Sequence, residues 1–158
     1  MLQVVPAGVF STAYDVLENG QSKGRIEHRM LSMRDEAIIS AGERTFSARR
    51  PRAFRSAAVL ESPEGTLLAN AEKETFWREN YRIELEGSTL YLRQQMMSWR
   101  GTFTITDEAG EIGSIRREKA FSRRMLVELT TASPPPLEVA EFLVWIVLMV
   151  QRRQSAAA

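Results

Sequence analysis

The segment that most restricts the fold of this chain lies near its C-terminus. After Ser133-Pro134-Pro135-Pro136, which cannot join a central strand, the sequence reads Leu137-Glu-Val-Ala-Glu-Phe-Leu-Val-Trp-Ile-Val-Leu-Met-Val150 and then Gln151-Arg152-Arg153. Its polarity is that of a helix over about 136–153: Pro136 suits a first turn, Glu138 and Glu141 oppose the positive end of the helix dipole, and Arg152 and Arg153 complement the negative end. Residues 142–150 are apolar without a break, so this helix has no wet stripe and must be surrounded. A membrane-spanning helix needs about 20 apolar residues. This run is shorter and carries two carboxylates in its first turns, so no transmembrane span is expected. Residues 154–158 read as a disordered tail.

The rest of the chain reads as strands. Asn19-Gly20, Ala41-Gly42, Glu64-Gly65, Glu86-Gly87 and Ala109-Gly110 each place a glycine where a tight hairpin needs positive φ. Between these turns polarity alternates with period two. Tyr81, Ile83 and Leu85 alternate with Arg82, Glu84 and Glu86; Phe103 and Ile105 alternate with threonines; Met125, Val127 and Leu129 repeat the pattern. Such strands have one dry face and one wet face. Three hairpins resemble one another at a spacing of roughly 45 residues, a repeat-scale period. They are Tyr14–Ile26, Ala58–Lys73 and Phe103–Arg116, each an apolar strand, a Gly turn, then a strand opening on small residues.

Eleven or twelve amphipathic strands need something to cover their dry faces, and a helix that is apolar all round needs an apolar sheath. A closed antiparallel barrel of about twelve strands around the C-terminal helix satisfies both demands. A barrel of about eight strands is already filled by its own side chains, so a wider one has room for a helix. Closure also removes exposed sheet edges. The expected organisation is a short N-terminal segment over residues 1–9 and a single barrel domain over 10–153, with no large internal ligand cavity.

Several of these elements, in this order, resemble the tubby C-terminal-like superfamily: Tyr14-Asp15-Val16, the Asn19-Gly20 turn, Gly24-Arg25-Ile26, Gly110-Glu-Ile112-Gly113-Ser-Ile115, and the Pro-rich entry into a hydrophobic helix ending in Arg-Arg. The resemblance is closest to the LURP-one-related and phospholipid-scramblase-like branch and spans about residues 10–153. It implies a mainly β fold, a twelve-stranded barrel around a buried C-terminal helix, and phosphoinositide binding of the kind tubby-type members show. The chain departs from the scramblase pattern in lacking its Pro-rich tail and Cys-rich palmitoylation segment. Asp107-Glu108-Ala109-Gly110-Glu111 is acidic around a glycine but lacks the ligand spacing of an EF-hand, and reads as a solvated turn.

Composition narrows the chemistry. With no Cys and one His among 158 residues, disulfides, thiolate catalysis, Cys-ligated zinc and His-rich metal sites are all excluded. His28 alternates with Ile26 and Met30, which marks a packed, neutral core histidine. No Ser occupies a Gly-x-Ser-x-Gly elbow, and no phosphate-cradling glycine loop occurs. No enzyme activity, cofactor or metal is expected. The 21 Lys and Arg nearly balance the 20 Asp and Glu, which argues against nonspecific nucleic-acid binding. The N-terminus has no basic region leading into a long apolar stretch, so the expected location is the cytoplasm or the periphery of a membrane.

Two clusters of arginine stand out. Arg49, Arg50 and Arg52 fall in an acid-free stretch with Arg44 and Arg55, and Arg116, Arg117, Arg123 and Arg124 gather around Lys119. Guanidinium groups bind phosphate bidentately, so these residues are the candidate site for anionic phospholipid headgroups. Phe54 and Phe121 stand beside the clusters as candidates for insertion into a headgroup layer or for the core. Trp77, Met96, Met97 and Trp99 read either as barrel-end plugs or as a contact for a protein partner. The expected function is therefore a non-enzymatic binding module for anionic lipid. The alternative is a protein-interaction or structural scaffold, including a homo-oligomer.

Overall fold

A computed structural model describes residues 1–29, 35–51 and 58–157. Twelve strands run in chain order: β1 Leu2–Pro6, β2 Ala13–Glu18, β3 Gln21–Arg29, β4 Glu36–Ala41, β5 Arg44–Arg49, β6 Ala58–Glu61, β7 Leu67–Lys73, β8 Asn80–Leu85, β9 Ser88–Gln94, β10 Phe103–Thr106, β11 Glu111–Arg117 and β12 Met125–Leu129. They form a closed antiparallel meander in which each strand pairs with its sequence neighbours and β1 closes the ring against β12. The helix α1, Leu137–Ala156, follows β12 and fills the bore. The expected fold class is therefore the observed one.

Alternation decides which side chains meet the helix. In β3 the inward set is Gly24, Ile26 and His28, and every intervening residue is exposed. Val4, Phe46, Leu60, Ile83, Leu92, Ile105, Ile115 and Val127 converge from other strands on Phe142, Leu143, Val144, Trp145, Ile146 and Val147, all essentially inaccessible. The unbroken apolar run of the sequence is thus satisfied from every direction, as a helix without a wet stripe requires. Outside, cross-strand ion pairs such as Arg49–Glu61, Arg82–Glu72 and Arg116–Glu128 decorate the wall.

The internal repeat is structural. The hairpins β2–β3, β6–β7 and β10–β11 stand four strands apart in the ring. Each carries a register irregularity at the same place, at Val16/Leu17, Leu60/Glu61 and Ile105/Thr106, whereas the other strand pairs run in regular register. Just inside each irregularity a small residue faces a larger one: Gly24 opposite Val16, Ala69 opposite Leu60, Gly113 opposite Ile105. A Cβ at Gly24 would overlap the Glu141 carboxylate and the Ser40 carbonyl oxygen, and one at Gly113 would overlap the Glu128 carbonyl oxygen. Irregular register bends and twists a strand, and placing one in each third of the ring helps curl the sheet closed.

Two boundaries differ from the sequence reading. Residues 2–6, placed outside the barrel by sequence, form the strand that closes it, with Val4 fully buried. Only one of those five side chains is fully buried, so the stretch lacks the long alternating signature of a barrel strand. The helix also continues past Arg153 to Ala156, taking in residues 154–156 of the expected tail. Its last turn is held by a reciprocal amide pair between Gln154 and Gln94 at 3.2 and 3.4 Å. Among the described residues, no helix is long and apolar enough to cross a membrane.

Candidate functional site: the loop end of the barrel

In an antiparallel meander, alternate connections lie at the same end of the barrel. One end gathers the tight glycine turns at residues 19–20, 42–43, 62–66, 86–87 and 107–110, together with the entry to α1. Asn19 and Gly20 both have positive φ, 52° and 79°, the backbone that a two-residue hairpin needs. These five turns carry Glu43, Glu64, Glu86, Asp107 and Glu108, and no Lys or Arg. The opposite end gathers the longer loops, of which 7–12, 74–79, 95–102 and 118–124 are described throughout, and the C-terminus of α1.

The loop end is basic and apolar at once. Arg78, Arg100, Lys119 and Arg124 are exposed there without an ion-pair partner among the described residues. Two of the acids at this end are neutralised locally: Glu74 pairs with Arg93, and Asp35 with Arg50. Between the cations stand Phe10, Phe76, Trp77, Met96, Met97, Trp99 and Phe121, all exposed, with Trp77 at 78%, Trp99 at 88% and Phe121 at 94%. Trp77, Met96, Met97 and Trp99 therefore plug nothing: the bore is filled by α1, which leaves their side chains on the loop tips. Trp77, Met96 and Met97 share the lining of one cleft with Gln154 of the helix.

The described members of the two arginine clusters do not converge into one patch. Strands β5 and β11 lie six positions apart in the ring whichever way it is followed, so Arg49 and Arg50 stand on the opposite side of the barrel from Arg116 and Arg117. Arg49 donates to Glu61 at 2.6 and 3.1 Å, and Arg116 donates to Glu128 at 3.0 Å, both on the barrel wall. Arg50 pairs with Asp35 at 3.1 Å. Arg52, Phe54 and Arg55 lie outside the described residues. Arg117 and Arg123 instead donate to backbone carbonyls, Arg117 to Ala120 at 3.2 Å and Arg123 to Val9 and Ser11 at 2.7 Å each. Arg123 also lies over the Tyr14 ring. Their charge is positioned without being neutralised.

Polar groups fix the helix C-terminus beneath these loops. Trp145 Nε1–H donates to His28 Nδ1 at 3.3 Å, which leaves the imidazole proton on Nε2. Burial, reinforced by the Arg152 charge, holds the His28 pKa below its ordinary value, so the ring is a packed, neutral core histidine. Tyr81 donates to Glu79 at 2.8 Å, Lys73 donates to the other Glu79 oxygen at 3.0 Å, and Arg153 donates to the Tyr81 hydroxyl at 3.1 Å. Burial and the Glu79 hydrogen bond push the Tyr81 pKa up to about 12. Burial alone would raise Glu79 as well, but the hydrogen bonds from Tyr81 and Lys73 hold it below the ordinary carboxylate range.

Sequence reasoning missed Phe10, Phe76, Arg78, Arg100, Arg152 and Gln151 as members of one surface. The signal that finds them is parity: once the short glycine turns are assigned, every other connection must lie at the far end. Among the described residues no cluster of His, Asp or Glu is arranged to hold a metal ion. No known protein family, curated protein or solved structure matches the chain.

Proposed function

We propose that this protein is a non-enzymatic module that docks on anionic phospholipid surfaces through the loop end of its barrel. The observation that carries the reading is the polarity of the molecule. Exposed aromatic and Met side chains share one end with unpaired Arg and Lys, while the tight turns of the other end carry only acids. A charge distribution of this kind orients an approaching molecule before contact. Each basic residue near an anionic leaflet contributes about 1 kcal/mol. Tubby-like kinship belongs to the same proposal, supported by the barrel closed around a C-terminal helix. The cytoplasmic face of a membrane, where anionic lipid is concentrated, is the proposed location.

Vesicle flotation tests this. The protein should float with phosphatidylserine-containing vesicles but not with pure phosphatidylcholine, and added salt should weaken the association. Lys119→Glu/Arg124→Glu should weaken it by at least about tenfold, whereas Arg44→Glu, near the turn end, should not. Absence of flotation with anionic vesicles overturns the lipid reading. If Trp77→Ala/Trp99→Ala then abolished concentration-dependent self-association in sedimentation, the exposed Trp and Met side chains would instead mark a homo-oligomer contact.

A further inference from the structure

One cleft at the loop end differs from its neighbours in charge. It lies between the start of β2, the β11–β12 loop and the last turns of α1, and Arg117, Arg123, Arg152, Gln151, Ser122 and Tyr14 line it, with a volume of about 410 Å³. Among the described residues no carboxylate lines it. Four other clefts each set a cation beside a carboxylate: Lys23 with Glu18, Arg78 with Glu79, Arg82 and Arg93 with Glu72 and Glu74, and Arg29 with Glu36.

The cleft also contains an unused donor. Gln151 is only 9% exposed, and its amide nitrogen has no hydrogen-bond partner among the described residues. A buried donor left unmade is destabilising, and the terminal torsion of Gln is the softest in its side chain, so rotation about it can present the N–H to the cleft that Gln151 lines. Gly101, at φ 58°, approaches from the β9–β10 loop; a Cβ there would lie 3.4 Å from that nitrogen. Arg117 and Arg123 are fixed by backbone carbonyls and keep their full charge. Phe121 stands exposed at the rim and Leu148 forms part of the wall.

We infer that this cleft binds a phosphate monoester, on a lipid headgroup or on a soluble molecule. A terminal phosphate offers a dianion with three strong acceptor oxygens, which matches the Arg117 and Arg123 guanidinium groups plus one amide donor. A carboxylate offers half that charge, and a phosphodiester such as phosphatidylglycerol offers a single negative charge. In its lipid form the inference rests on the membrane-docking reading, and Phe121 and Leu148 then contact the acyl region.

The test has a soluble arm and a vesicle arm. In the first, glycerol 3-phosphate should shift the Gln151 side-chain amide and Arg117 Nε–H resonances saturably, and acetate at equal ionic strength should not. Gln151→Met and, separately, Arg117→Met should each weaken that binding by about tenfold. In the second, vesicles containing phosphatidic acid should bind more tightly than phosphatidylglycerol vesicles of matched surface charge, and Gln151→Met should abolish the difference. Saturation with glycerol 3-phosphate alone identifies a soluble ligand; preference for phosphatidic acid alone identifies a lipid. The absence of both effects overturns the inference, even if phosphatidylglycerol vesicles still bind. Loss of all vesicle binding with the soluble shift intact overturns membrane docking and leaves the cleft assigned.

Discussion

Glu141 shows how much one side chain can oppose the fold that contains it. It projects from α1 towards the barrel wall, 1% exposed, with neither carboxylate oxygen hydrogen-bonded among the described residues, in space that exists because residue 24 is glycine. Burial, with a smaller contribution from the Glu138 charge, pushes its pKa up to about 9. The folded value lies above the unfolded one, so the folded chain holds an extra proton between them. Stability is complete below the ordinary carboxylate range and is lost as pH rises from there towards 9, with a cost of roughly 3 kcal/mol at neutral pH. Glu141→Met, similar in size and apolar, should therefore raise the denaturation midpoint at about pH 8 and flatten the decline in stability between about pH 5 and pH 9. Urea unfolding across that range measures it; an unchanged profile would show that Glu141 is solvated or paired in solution. His28 acts in the opposite direction, since its lowered pKa makes acidification unfavourable to the fold.

At the scale of the element, α1 and the strands are each unstable alone. An all-apolar helix cannot remain in water, and twelve strands with one dry face cannot close on nothing. Their interdependence predicts a steep penalty for a charge on the helix: Ile146→Asp, at a position with no accessible surface, should cost about 4 kcal/mol or more. Urea denaturation, or loss of soluble protein on expression, would register this, and a change below about 1 kcal/mol would contradict the enclosed helix. The three register irregularities act at the same scale. Each pairs a small inward residue with a larger one, and their spacing of four strands distributes the bending evenly around the ring. That spacing is why the 45-residue similarity of the sequence corresponds to a structural repeat.

The whole molecule is a barrel with unlike ends, and this polarity predicts an orientation. Docked by its loop end, the barrel stands with Trp77 and Trp99 at the membrane and Trp145 enclosed. Addition of phosphatidylserine vesicles should shift tryptophan emission to shorter wavelength. Trp145→Phe should preserve that shift, and Trp77→Phe/Trp99→Phe should remove it. Vesicle flotation without any emission shift in the unsubstituted protein would place another face of the barrel against the lipid.

The sequence alone determined the class of fold, because an apolar helix and a set of two-faced strands have few mutual solutions; it also identified His28 as a core residue and aligned the three hairpins. Pattern could not reveal β1, where one buried side chain in five residues leaves too weak an alternation, or the extension of α1 through Gln154, which depends on an amide partner sixty residues away. The candidate site was legible only in part. Arg49 and Arg116 look like neighbouring members of basic clusters in sequence, yet cross-strand partners neutralise them on the wall. Arg117 and Arg123 look the same, yet their partners are backbone carbonyls, which bring no compensating charge. Which cations are paired, and which loops share an end, depends on the register and closure of the sheet, and only the tertiary structure decides those.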